Sequence, residues 1–197
     1  MRNYLNCFFK ILLVIIVFSL GINDSVSQTL IVNSPLKRGL FRTFNDFKYN
    51  TPDTTINFTF DEEKEKLNLD TTKYAIKRME IWGFSDGVSV FIIAGKINKL
   101  QTLDRYCYFK EQGVGIVMVA GGYSLVPIPI PRPYKEQYVI NLNNGNTYNL
   151  DNGLMKKILG KDKELLNQFN KEPKKKDKYL DYIKAYNDRH KDELKVN

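Results

Sequence analysis

Between Ile56 and Leu150 apolar and polar positions alternate in short runs, the period-two pattern of half-buried strands. Ile56, Phe58 and Phe60 are interleaved with Asn57 and Thr59. Tyr74, Ile76, Trp82 and Phe84 share one parity, and Ser85-Asp86-Gly87 then leads into the apolar run Val88 to Ala94. Asp-Gly between two β-rich segments predicts a tight hairpin turn, because glycine takes a positive φ without a Cβ clash. Arg105 to Phe109 and Gln137 to Leu142 predict further strands, and Asn143 to Asn146 turns the chain into Thr147 to Leu150. Asp61 to Lys66, rich in charge, is expected as a solvated turn or short helix. No long helical pattern separates these strands, so a mainly antiparallel sheet is expected.

Two segments carry helical spacing instead. Thr43-Phe44-Asn45-Asp46 has the form of a capping box, with Phe44 and Phe47 on one face, and Thr51-Pro52 predicts its end. After Leu150 the period changes for good. Asp151 or Asn152 caps a helix carrying Leu154, Met155, Ile158 and Leu159, which Gly160 ends. Asp162 starts a second, with Leu165, Leu166 and Phe169, and Glu172-Pro173 interrupts it. A third, from about Lys174 to His190, presents Tyr179, Ile183 and Tyr186, with Tyr182 widening that face. The expected fold is α+β: a mainly antiparallel sheet, a short N-terminal helix and a C-terminal set of two or three helices. Residues 28–150 form the β-rich part, and residues 151–197 a helical region packed on the same domain.

Gly113 to Pro131 is nineteen residues without a charge. Its length matches a membrane span of about 28 Å, but Gly121-Gly122 and the alternating Pro127, Pro129 and Pro131 oppose a helix. A strand over Gly115 to Ala120, a Gly-Gly turn and an extended edge over Leu125 to Pro131 fit better. Tyr123, Leu125, Ile128 and Ile130 are the candidate contact residues, with lipid contact through residues 113–131 as the alternative.

At the N-terminus, Arg2 and Lys10 precede a charge-free run from Ile11 to Ile22, about 18 Å as a helix and short for a bilayer. Ser25-Val26-Ser27 supplies the small residues of a cleavage site before Gln28, so residues 1–27 are expected to be a signal peptide. The competing reading is an uncleaved membrane anchor. Cys7 would leave with the peptide, and Cys107 would be the one thiol of the exported chain.

One histidine and two cysteines in 197 residues exclude a zinc finger, a disulfide framework and a His-rich metal centre, and no cofactor is expected. Cys107 sits among strand residues, where a thiol behaves as a small apolar group, and its one candidate base, His190, is expected on a solvated Lys-rich helix. Gly113-Val114-Gly115 lacks the third glycine of a dinucleotide fingerprint. Among the acids Asp61, Glu62, Glu63, Glu65, Glu80, Asp86, Asp104 and Glu111, spacing selects no pair. The net charge is +8, and Lys174, Lys175 and Lys176 with Lys171 and Lys178 form a basic cluster. The last four are candidates for contact with an anionic surface, lipid or polysaccharide, against the plainer reading of a solvated helix start. Nucleic acid is disfavoured, since the nearby tyrosines share the face expected to pack.

Ile81 to Gly87, Tyr138 to Leu150, Leu154 to Phe169 and Tyr179 to Asn187 together resemble an uncharacterised family of small secreted proteins of Bacteroidota, over most of residues 39–190. Lys163 stands where that family often has a proline at the start of the second helix. The resemblance implies an exported envelope or extracellular protein of a Gram-negative bacterium, periplasmic, outer-membrane-associated or released, and brings no catalytic residue with it. The expected function is a non-enzymatic binding module with an envelope protein or polysaccharide as partner. The alternative is a carboxylate-dependent hydrolase acting on glycan, which needs two carboxylates about 5–10 Å apart in a cleft.

Overall fold

A computed structural model describes residues 29–70, 80–121 and 124–194, and for 116–130 the backbone alone. The expected signal peptide, Tyr123 and most of the strand expected from Tyr74 lie outside the described residues. The fold is α+β, with every strand pairing antiparallel.

The chain enters through a 3-10 turn, Ile31–Asn33, into β1 (Gly39–Phe41) and α1 (Phe44–Lys48). The capping box of α1 is complete: the Asp46 N–H donates to Thr43 Oγ1 at 3.1 Å and the Thr43 N–H to Asp46 Oδ2 at 2.8 Å. A hairpin follows, β2 (Phe58–Asp61) and β3 (Lys66–Leu69), joined by the charged turn. β4 (Gly83–Ser85), β5 (Val90–Ala94) and β6 (Lys96–Lys99) join β1 in a sheet of order β1-β4-β5-β6. The Asp86-Gly87 turn forms as expected. Gly87 takes φ +96°, and Asp86 Oδ1 accepts from the Val88 and Ser89 N–H groups. Two long strands, β7 (Tyr106–Gly121) and β8 (Ser124–Asn141), make a hairpin that β9 (Thr147–Asn149) extends to order β7-β8-β9. α2 (Asn152–Leu159), α3 (Lys163–Lys171) and α4 (Tyr179–Arg189) close the chain. Asp151 and Asp162 cap the first two through the Leu154 and Leu165 N–H groups.

Alternation along the strands stacks these elements in layers. Tyr108 and Val139 face the helices, joining Met155, Leu159, Phe169 and Ile183. Cys107, Phe109 and Ile140 face the other way, onto Phe41, Phe47 and Ile92. The far side of the four-stranded sheet presents Leu40, Phe84, Phe91 and Ile97 to Phe58 of the β2–β3 hairpin. With Val90, Phe91 and Ile92 all buried, β5 is covered on both faces, which explains its unbroken apolar run.

Three expectations are corrected. Arg105 to Phe109 and the Gly115 to Ala120 strand are one element, as are the proline-rich segment and Gln137 to Leu142. Pro127 to Pro131 pairs with β7 along one side, the extended edge expected of this segment. Asp61 to Lys66 is a turn between β2 and β3, one of its two expected forms. The expected third helix starts at Tyr179, and Lys175–Lys178 is a 3-10 turn before it. Among the described residues no helix is long and apolar enough to cross a membrane.

Candidate functional site

The β7–β8 register is constant from Tyr106↔Asn141 to Ala120↔Pro127, and shifts only between Ala120 and Gly121. Residues of one parity on each strand therefore keep their backbone groups pointed the same way throughout. On β8 the odd positions point away from β7: the Gln137 carbonyl accepts from the Leu150 N–H at 2.7 Å, and the Asn141 N–H donates to the Asn146 carbonyl at 3.0 Å. Pro127, Pro129, Pro131 and Pro133 are all odd. Each missing donor lies on the outer edge of β8, beyond the reach of β9, and none is subtracted from the ladder with β7. The alternation that argues against a central strand is what a one-sided edge strand accepts.

On β7 the even positions point outward, and within the body of the protein they are met. The Asn187 side chain takes both groups of Tyr106: its Oδ1 accepts from the N–H at 3.2 Å and its Nδ2 donates to the carbonyl at 2.9 Å. The Tyr108 N–H donates to Thr102 Oγ1 and its carbonyl accepts from the Gln101 N–H, both at 2.8 Å. Lys96 Nζ donates to the Gln112 carbonyl at 2.8 Å. Past that point β7 is the outermost strand of its sheet. The two strands leave the body here as an arm. None of the described residues 111–115 and 131–136 is buried, and Val114 is 68% exposed.

The base of the arm carries two arrangements, one on each face. On the face toward the four-stranded sheet, Glu111 and Glu136 are direct cross-strand neighbours. Like charges so placed repel, and each carboxylate is taken up by a tyrosine hydroxyl. Tyr134 Oη donates to Glu111 at 3.0 Å, and Tyr138 Oη donates to Glu136. The Glu111 hydrogen bond raises the Tyr134 phenol above its usual range; the Glu136 bond, then burial, pushes Tyr138 up to about 12. Both phenols thus stay protonated donors. Glu136 was not among the acids the sequence singled out, since nothing local tells which two distant residues become opposite one another.

On the face toward the helices, Lys110, Lys135 and Lys176 line a cavity of about 260 Å³ with Gln137 and Asp177. Buried Gln137 anchors it, accepting from the Tyr108 hydroxyl and donating to the Lys176 carbonyl at 3.0 Å. Of the four lysines expected to meet an anionic surface, the fold uses two elsewhere. Lys175 Nζ donates to the Asn170 and Glu172 carbonyls at 2.9 and 2.7 Å, closing the end of α3, and Lys178 pairs with Asp181. Lys176 joins Lys110 and Lys135, a combination that sequence proximity did not suggest. Lys174 is exposed. Tyr123 lies outside the described residues, while Ile128 and Ile130 pair with Val119 and Val117 along the arm.

The remaining candidates have structural roles. Cys107 is wholly buried, donates to the Asp104 carbonyl at 3.2 Å, and burial pushes its thiol up to about 12. His190 is half-buried at the end of α4, less exposed than expected. It stacks on Tyr186 at 4.3 Å and bonds Glu193 at 2.7 Å, while Glu193 also pairs with Arg105. Tyr186 packs on Tyr106, whose ring lies on the helical face of β7, and Cys107 lies on the opposite face. The two residues thus do not form a dyad. Among the described residues no group of three or more His, Cys, Asp or Glu is placed to hold a metal ion.

Residues 39–190 match a family of unknown function, DUF6563, and the chain belongs to it. No curated protein and no solved structure matches.

Proposed function

We propose that this member of the family is an exported, non-enzymatic interaction module of the bacterial cell envelope, and that the β7–β8 arm is its contact element. One observation carries the reading: a strand-paired arm, uncharged from Gly113 to Pro131, leaves the packed body at the Gln112–Lys135 pair with, among the described residues, an unpaired edge on each side. A two-stranded ribbon is marginal on its own, so an arm of this length gains from a surface to pair with. The lysine-lined cavity at the base adds attraction for an anionic partner, such as an acidic polysaccharide. Export rests on the N-terminal pattern, basic residues followed by a short apolar run and Ser25-Val26-Ser27.

The test is photo-crosslinking in cells that make the protein. A benzophenone amino acid replaces Val114 on the arm or, as a control, Val88, which is 84% exposed in the β4–β5 turn. Specific adducts from position 114 and none from position 88 support the reading. No adduct from position 114 in a folded, expressed chain overturns it.

A further inference from the structure

We propose that the arm's partner is a second copy of this chain, joined edge to edge along β7 between Val114 and Ala120. The inference rests on the arm being the contact element and says what it contacts.

The two edges of the arm are chemically unequal. On β7, the backbone groups of Val114, Ile116, Met118 and Ala120 are directed away from β8 by the register, and none of the four is proline, so each offers both an N–H and a carbonyl. On β8, Pro127, Pro129, Pro131 and Pro133 offer carbonyls only. An added strand finds a full set of partners on β7 and half a set on β8. Open-ended stacking needs two competent edges, and blocking one leaves an assembly that closes at two copies. The body makes the same point from the other direction: outward groups of β7 at Tyr106, Tyr108 and Gln112 are capped by side chains or loop backbone, the treatment a strand edge receives where the protein leaves it no partner strand.

β7 is also suited to meet itself. Two copies related by a two-fold axis at Val117 run antiparallel, placing Ile116 opposite Met118 and Val114 opposite Ala120. All four positions have the outward parity, so each such pair exchanges both hydrogen bonds. The run Gly113 to Pro131 holds no charge, and no like charges are brought together across the axis. The result is a continuous sheet, β9-β8-β7 running into β7-β8-β9 of the second copy.

The experiment uses protein recovered from expressing cells, with mass determined by light scattering after gel filtration at micromolar concentration. The expected mass is that of a dimer. Met118→Pro deletes an outward donor without touching the β7–β8 ladder, and the expected product is a monomer with unchanged circular dichroism. Val117→Cys should link two copies by a disulfide, because a non-hydrogen-bonded pair brings its Cα atoms within disulfide range. Val119→Cys, which faces Gly115 of the second copy in this register, should not. A monomeric wild type, or a dimer that survives Met118→Pro with no Val117→Cys link, overturns the proposal. If Met118→Pro fails to fold, the cysteine pair alone decides. Adducts from position 114 that contain a different protein, with a monomeric wild type, would end the dimer and leave the arm as a contact element.

Discussion

The side-chain amide of Asn187 occupies the place of a neighbouring strand for Tyr106, accepting from its N–H and donating to its carbonyl. One buried residue of α4 thereby ends the sheet at the body of the protein and ties the last helix to β7. Asn187→Ala removes both bonds and leaves two backbone groups of Tyr106 without these partners. A loss of about 2–3 kcal/mol in urea unfolding is expected. A change under about 0.5 kcal/mol would show that water replaces the amide at no cost.

Gly83 is held to glycine by the strand beside it. A Cβ there would stand 2.5 Å from the Phe91 carbonyl oxygen, and β4 and β5 are paired at that point. Backbone cannot yield as a side-chain tip can, so Gly83→Ala should cost about 2–3 kcal/mol. An alanine variant as stable as the wild type would mean that the two strands can separate without loss.

Burial keeps the Cys107 thiol protonated and out of reach. A disulfide reagent at mildly alkaline pH should label folded protein only as fast as it unfolds, and Cys107→Ser should cost about 1 kcal/mol. Rapid, stoichiometric labelling of the folded chain would contradict this placement.

Glu193 joins the C-terminal turn to the sheet and helices. The His190 hydrogen bond and then Arg105 hold its carboxyl down at about 2, against 4.5 for a free one. A lowered folded value means that the carboxylate stabilises the fold above the unfolded value, and that this is lost as pH falls through the folded one. The stability gap between wild type and Glu193→Gln should therefore be full near neutrality, shrink below about pH 4.5 and vanish near pH 2. Salt should narrow it, because the group is at the surface. A gap independent of pH would assign the effect to packing.

Local chemistry made the helices legible. Thr43, Asp151 and Asp162 are caps whose partners lie within four residues, and Met155, Ile158, Phe169, Ile183 and Tyr186 mark buried faces by spacing alone. The Asp86-Gly87 turn was legible for the same reason. β3 and β6 were not, because each is four residues long and starts with lysine, leaving two apolar positions in β3 and one in β6 to show a period. The sequence divides β8 in two, because each proline counts locally as a lost ladder donor. Which edge loses the donor depends on parity relative to β7, and parity becomes visible only once the register is known. That register was hidden as well: a two-residue turn at Gly121-Gly122 would pair different residues from those the shift at Ala120/Gly121 produces. The Glu111–Glu136 pair and the Lys110, Lys135 and Lys176 cavity both follow from it, so neither could be read beforehand.

On the proposed reading the arm serves contact and not folding, and shortening it separates the two most directly. Replacing residues 114–133 with Asn-Gly joins Gly113 to Tyr134, a pair already in register, through a two-residue hairpin turn. Sedimentation of the shortened and full chains from expressing cells, with thermal melting of each recovered species, is the measurement. The expected result is a full chain that sediments above its own mass and a shortened chain that sediments as a monomer and still melts cooperatively, within a few degrees of the full chain. A shortened chain that keeps the larger mass, or one that no longer melts cooperatively, would contradict the arm as a contact element.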